Sequence, residues 1–152
     1  WSVPMFIGDR VGKQNRGEDS ITWKDGAILG LIQCLSLVPG VSRSGATITG
    51  GLFLGIDRIT ATRMSFFLGI PTLVAAGMFQ AATSASSIAA PGGIGWVATI
   101  IGIVVSFVVA YASIAWLLKF VATNDFTAFV IYRVVVGLVI GGLLLANVIS
   151  PV

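Results

Sequence analysis

Long apolar runs alternate with short polar breaks along this chain, and the breaks predict its elements. Residues 1–6, WSVPMF, read as the tail of an earlier hydrophobic helix. Residues 7–25 are polar and hold eight of the fifteen charged side chains, so a loop is expected there, with Asp25 placed to cap the next helix. Residues 26–39 are apolar apart from Gln33 and Ser36, and residues 45–56 are apolar again. As helices these two stretches span roughly 21 Å and roughly 18 Å, and a hydrocarbon core is about 30 Å thick. Two half-length helices on either side of a polar elbow at 40–44 predict a re-entrant hairpin over 26–56. Irregular backbone at membrane depth persists only where protein or a wet cavity covers it. Two thin, tilted full crossings, 26–41 and 44–57, are the rival arrangement.

No charged residue occurs between Met64 and Leu118. That length accommodates two spans, at 60–82 and 96–118, with the break at 83–95 marked by Ser, Gly and Pro. Pro71 is expected to kink the first. Trp96 and Trp116 suit interfacial depths in the second. A turn holding Lys119 and Asp125 leads to a third span over 126–148. Arg58 and Arg63 flank one end of the first span, and Lys119 lies two crossings later, on the same side. The basic loop 7–25 joins them on the cytoplasmic side only if 26–56 enters and leaves by one face. Charge parity and segment length thus favour the hairpin independently.

Composition sharpens this picture. The 152 residues are 56% hydrophobic and 10% charged, whereas a soluble domain carries about a quarter charged residues. The expected class is an all-α integral membrane protein, a re-entrant hairpin plus about three transmembrane helices in a single membrane domain. The net charge of +3 is small, and no nucleic-acid partner is expected. Histidine is absent, which excludes imidazole chemistry within this chain. The lone Cys34 reads as a small core residue. Because it opens on Trp1 in mid-hydrophobic run, the chain reads as the C-terminal part of a longer protein.

Arg43 breaks the pattern. It is the one charge between Asp25 and Asp57, and it falls in the elbow. A cation at mid-membrane costs from about 3 to more than 10 kcal/mol, so it must face something polar. One reading is a structural arginine satisfied by carbonyls or a carboxylate. The functional reading is an anion clamp. Gly45 is expected to open the second short helix, leaving the amides of Gly45, Ala46 and Thr47 free to hold phosphate. Ser42, Ser44 and Thr47 add hydroxyl donors, and the planar fork of Arg43 matches phosphate oxygens in pairs. The six carboxylates lie in loops or at segment ends, and none is placed at the elbow. The chain therefore offers a phosphate grip without an acid–base partner, which suits either transport or a hydrolase completed by other residues.

The stretch from Gln33 to Gly77, with PGVSRSGATI at 39–48, closely resembles the second signature region of the bacterial undecaprenyl-diphosphate phosphatases, the bacitracin-resistance family. IYR at 131–133 also fits that family's last helix. The resemblance covers nearly all of this chain and about the C-terminal half of a family member. It implies removal of the terminal phosphate from a C55 polyprenyl diphosphate lipid, recycling the cell-wall carrier in the bacterial plasma (inner) membrane. It implies half of an inverted-repeat fold, whose N-terminal half carries an E-x-x-x-E glutamate pair, a serine and a histidine. A divalent cation, Mg²⁺ or Ca²⁺, is implied there, with no metal ligand in this chain. Arg43 would grip the diphosphate with Ser42 and Thr47 as catalytic partners; the reading of the residues themselves adds Ser44, Gly45, Ala46 and Gln33 as substrate-binding candidates. The chain alone is expected to be inactive, and a homodimer stays open. The alternative is a transporter or channel for phosphate or a lipid-linked phosphate.

Other residues carry plainer readings. Arg133 is expected to snorkel to the cytoplasmic face rather than line the cavity. Gln33 and Ser36 share one helix face, for which gluing helices together is the plainer reading and lining the site the alternative. The glycines at 137, 141 and 142 suggest close packing of the last span.

Overall fold

The computed structural model describes residues 1–90 and 93–146, and the last residues of the expected 126–148 span lie outside them. Among the described residues the chain is all helical: α1 (Ser2–Val11), α2 (Trp23–Cys34), α3 (Arg43–Phe53), α4 (Arg58–Ala89), α5 (Trp96–Thr123) and α6 (Thr127–Leu145), with short 3₁₀ turns at Glu18–Ser20 and Leu35–Leu37. Three of these, α4 to α6, are long and apolar enough to cross a membrane. Their outward faces are apolar, with Phe67, Phe79, Ile103, Phe107 and Leu138 all exposed. Such surfaces suit hydrocarbon and not water, so the protein is a multi-pass membrane protein.

The boundaries differ from expectation in ways the side chains explain. The first helix runs on through Asp9 and Arg10 to Val11, into the stretch expected to be loop. Helix α2 starts at Trp23, and its cap is Thr22 rather than Asp25. Asp25 instead closes a capping box, accepting from the Thr22 N–H while Thr22 accepts from the Asp25 N–H. The Arg16 guanidinium forks onto both Asp25 oxygens, and with the Thr22 hydroxyl it holds this carboxyl well below the usual carboxylate range. Helix α4 continues to Ala89, through Pro71 and most of the expected break. Its polar residues do not stop it, because they are satisfied locally: Thr83 donates to the Phe79 carbonyl and Gln80 donates to Ser84. Cys34, expected in the core, is exposed.

The central element is α3. Every residue from Gly45 to Leu52 is buried, by α1, α2 and α4. Its small residues make this packing possible. A Cβ at Gly50 would lie 2.6 Å from Ile32 Cδ1, and one at Gly51 would lie 2.8 Å from Ala61 Cβ. Leu29, Leu52, Ile56 and Ala61 form the core where the short helices meet α4. The helices α2 and α3 are joined by an elbow that turns at Gly40, whose φ of +89° is a left-handed conformation suited to glycine.

The two ends of the α2–elbow–α3 segment meet. The Arg16 N–H donates to the Gly55 carbonyl, the Asp57 N–H donates to the Arg16 carbonyl, and the Arg16 side chain reaches the Leu54 carbonyl. The chain thus returns beside the place it left. At the same end of the molecule, buried Asp9 receives Arg58 from the start of α4 and the Phe126 N–H from the start of α6.

Candidate functional site

The start of α3 is the only helix start in the elbow, and it is built by Ser42. Ser42 is its N-cap: its Oγ accepts from the Gly45 N–H at 3.2 Å, and its carbonyl accepts from the Ala46 N–H at 2.8 Å. The helix therefore begins at Arg43, two residues before the expected Gly45. The Gly45 and Ala46 amides, expected to be free, are already paired. Orphan donors of a helix start are the first few N–H groups, so those still open belong to Arg43 and Ser44.

An open cavity of about 190 Å³ lies beside this helix start. Ser42, Ser44, Gly45 and Ile48 form one wall, and Phe126, Phe129 and Arg133 of α6 form another. Met5 and Leu117 complete it from α1 and α5. A Cβ at Gly45 would crowd Ser42 Cβ at 3.0 Å and stand in ordinary contact with Arg133 Nη1 at 3.7 Å. Arg133, expected to snorkel away, thus reaches the helix start. Its eight-residue distance from Asp125 could not disclose this, because the rotation of α6 against α3 decides it.

Arg43 takes the opposite side of the same helix start. Its guanidinium lies against α4 at Gly69, with Cζ 3.4 Å from where a Cβ would stand. Gly69 belongs to a row of small and polar residues on α4, Ser65, Gly69 and Thr72, at the 4 and 3 spacing of one helix face. That spacing is a signal the sequence carries, and it alone could have pointed to these residues. Each member of the row meets a residue that the sequence marks as a site candidate. Ser65 Oγ is 2.6 Å from Thr47 Oγ1, which donates to the Arg43 carbonyl at 2.9 Å. Thr72 Oγ1 accepts from Gln33 Nε2 at 3.3 Å, while Gln33 Oε1 is buried without a partner.

The structure therefore brings Ser42, Ser44 and Gly45 together with Arg133 around the cavity. It puts Arg43 and Gln33 toward α4. Thr47 and Ala46 are fully buried and are not among the residues lining this cavity, Thr47 serving the contact between α3 and α4. Among the described residues, four arginines are paired with carboxylates: Arg10 with Asp125, Arg16 with Asp25, Arg58 with Asp9 and Arg63 with Glu18. Arg43 and Arg133 have no such ion pair among them. At the cavity, the Arg133 guanidinium and the Ser42 and Ser44 hydroxyls beside a helix start form a donor set of the kind that suits an oxyanion such as phosphate, and the Arg43 guanidinium lies on the other side of that helix start. This donor set does not fit a divalent cation, because the Arg133 guanidinium repels it and no carboxylate of the described residues lines the cavity. Among the described residues no group of three or more Cys, Asp or Glu is gathered as metal ligands would be.

The fold thus defines a multi-pass helical membrane protein, with a Ser42-capped helix start beside a cavity. The sequence model of the bacitracin resistance protein BacA family matches residues 1–139, and the chain belongs to that family. It is 56% identical to an undecaprenyl-diphosphatase of Cutibacterium acnes, over 99% of this chain and 55% of that protein. It is 49% identical to undecaprenyl-diphosphatase 3 of Frankia casuarinae, over 99% of this chain and 53% of the relative. Undecaprenyl-diphosphatase 1 of Streptomyces avermitilis is 48% identical over 96% of this chain and 51% of its own length. The chain thus spans about half the length of the curated relatives it matches. No solved structure matches it.

Proposed function

We propose that the complete protein hydrolyses undecaprenyl diphosphate to the monophosphate and inorganic phosphate in the bacterial inner membrane, and that this chain supplies the phosphate grip. The observation that carries the reading is the pair of guanidiniums without carboxylate partners, Arg43 and Arg133, on two sides of the helix start capped by Ser42. Hydrolysis breaks the bond between the bridging oxygen and the terminal phosphorus as water adds to that phosphorus. Negative charge then redistributes onto the bridging and terminal oxygens. Fixed cations and helix-start amides at those oxygens favour the transition state over the ground state. A carrier would use a similar clamp, but the relatives at about half identity are named diphosphatases.

The reading includes a re-entrant hairpin. Helices of 12 and 11 residues reach roughly 18 Å and roughly 17 Å, against about 30 Å of hydrocarbon. The backbone bonds joining Arg16 to residues 55 and 57 support entry and exit by one face. The site then lies below the headgroups, where a lipid diphosphate can present its head while its tail stays in the bilayer. The water-activating carboxylates, and any divalent cation they hold, are assigned to the half of the relatives that this chain does not span, paired with it as an inverted repeat.

The test is phosphate release from undecaprenyl diphosphate by the complete protein, with and without chelator, compared with Arg43→Ala in the same membranes. Loss of release with normal insertion is expected. Near-normal release by the variant overturns the assignment.

A further inference from the structure

We infer that Asp9 is a positioning residue for Arg133: its carboxylate pins the start of α6 and so determines where the second guanidinium stands. This rests on the reading of Arg133 as part of the phosphate grip.

Helix α6 has no fully buried residue among those described, and its packing on the core is limited to partly buried side chains near its start, Phe129 and Val130. Its main helix neighbour is α1. The join is made by Asp9, whose side chain is 2% exposed. One carboxylate oxygen takes the Arg58 Nε–H, and the other accepts the Phe126 N–H at 3.2 Å. The Gln14 side chain donates to the Asp9 carbonyl at 2.8 Å, which fixes the end of α1. A second, longer tie, Arg10 to Asp125 at 3.8 Å, lies alongside.

The geometry carries this anchor to the site. Phe126 is seven residues before Arg133, two helical turns, which returns to the same face of α6. Both residues line the cavity beside Gly45. Met5, one turn before Asp9 on α1, lines it too. If Asp9 is lost, the buried Phe126 N–H and Arg58 lose their acceptor, and α6 is free to shift or turn against α3. A small rotation is enough, because misplacement of about 1 Å can cost about 10²-fold in rate.

The experiment compares four full-length proteins: wild type, Asp9→Ala, Arg133→Ala and the double variant. Asp9→Ala is expected to lower kcat/KM for undecaprenyl diphosphate by about tenfold or more, and to lower it less than about twofold further once Arg133 is already alanine. Asp9→Asn, which keeps an acceptor for the Phe126 N–H, is expected to recover most of the loss. Equal fold losses with and without Arg133 would mean general support of the fold and would overturn the inference, as would unaltered turnover in Asp9→Ala. Hydrogen exchange over residues 126–133 reads the same anchor without turnover. Faster exchange in Asp9→Ala supports it, and unchanged exchange overturns it. A wild-type protein that releases no phosphate overturns the proposed reaction instead, and the exchange measurement still decides the role of Asp9.

Discussion

The arginines at the two ends of this molecule are treated oppositely. At the loop end, Arg10, Arg16, Arg58 and Arg63 each meet a carboxylate. Those pairs tie α1 to α4 and α6, and the polar loop to α2 and α4. At the elbow, Arg43 and Arg133 stand on two sides of one helix start, and neither has a carboxylate partner among the described residues. Under the proposed function, this unpaired charge is what a diphosphate would neutralise. Paired arginines here hold the fold, and the two unpaired ones are those that the proposed function assigns to the ligand.

That contrast can be broken by experiment. Arg43→Ala in the complete protein should lower phosphate release by about 10²–10³-fold, with normal membrane insertion, the size seen when one preorganised transition-state donor is removed. Lysine at the same place should not restore it, since the planar fork is lost. Arg133→Ala should cost about 10–150-fold, corresponding to about 1.5–3 kcal/mol for a hydrogen bond to a charged group. If Arg133→Ala turns over normally, the arginine belongs with the lipid-facing residues and the contrast narrows to Arg43 alone.

The paired set should respond in stability. Asp25→Asn removes the charge that Arg16 and Thr22 share and should lower stability by about 1–3 kcal/mol, read as a fall in melting temperature in detergent. The same pair predicts a pH dependence. The folded carboxyl is held below its unfolded value of about 3.9, so its stabilisation is complete above that pH and fades as pH falls toward the folded value. Melting temperature should therefore drop on acidification below about pH 4, and Asp25→Asn should flatten that drop. Smallest of all, Arg63→Ala breaks an exposed pair with Glu18 and should change stability by about 0.5 kcal/mol or less, with turnover unaltered.

Much of the fold was legible because hydrophobic runs have lengths that a bilayer and a helix interpret directly. The three long helices and the two short ones all lie where such runs lie. Their ends were less legible. Thr83 and Ser84 read as breakers but are accommodated within α4, and Thr22 took the capping role expected of Asp25. Within the elbow, Arg43 stood out because an intramembrane charge is costly whatever surrounds it. The destination of Thr47 was not visible. Its hydroxyl looks like a ligand donor in sequence, and only the approach of Ser65 from α4 turns it into a buried contact.

The sequence by itself determined the membrane class, the half-length helices around a polar elbow, and the one charge that elbow must accommodate. Each comes from local quantities: run length, residue polarity and the cost of desolvating a cation. Tertiary structure alone decided that Arg133 joins Gly45, that Arg43 turns to Gly69, and that Asp9 holds α6 in place. Those outcomes depend on how helices far apart in the chain are rotated and offset against one another. Such rotations are set by close contacts among many side chains, and no short stretch of residues encodes them.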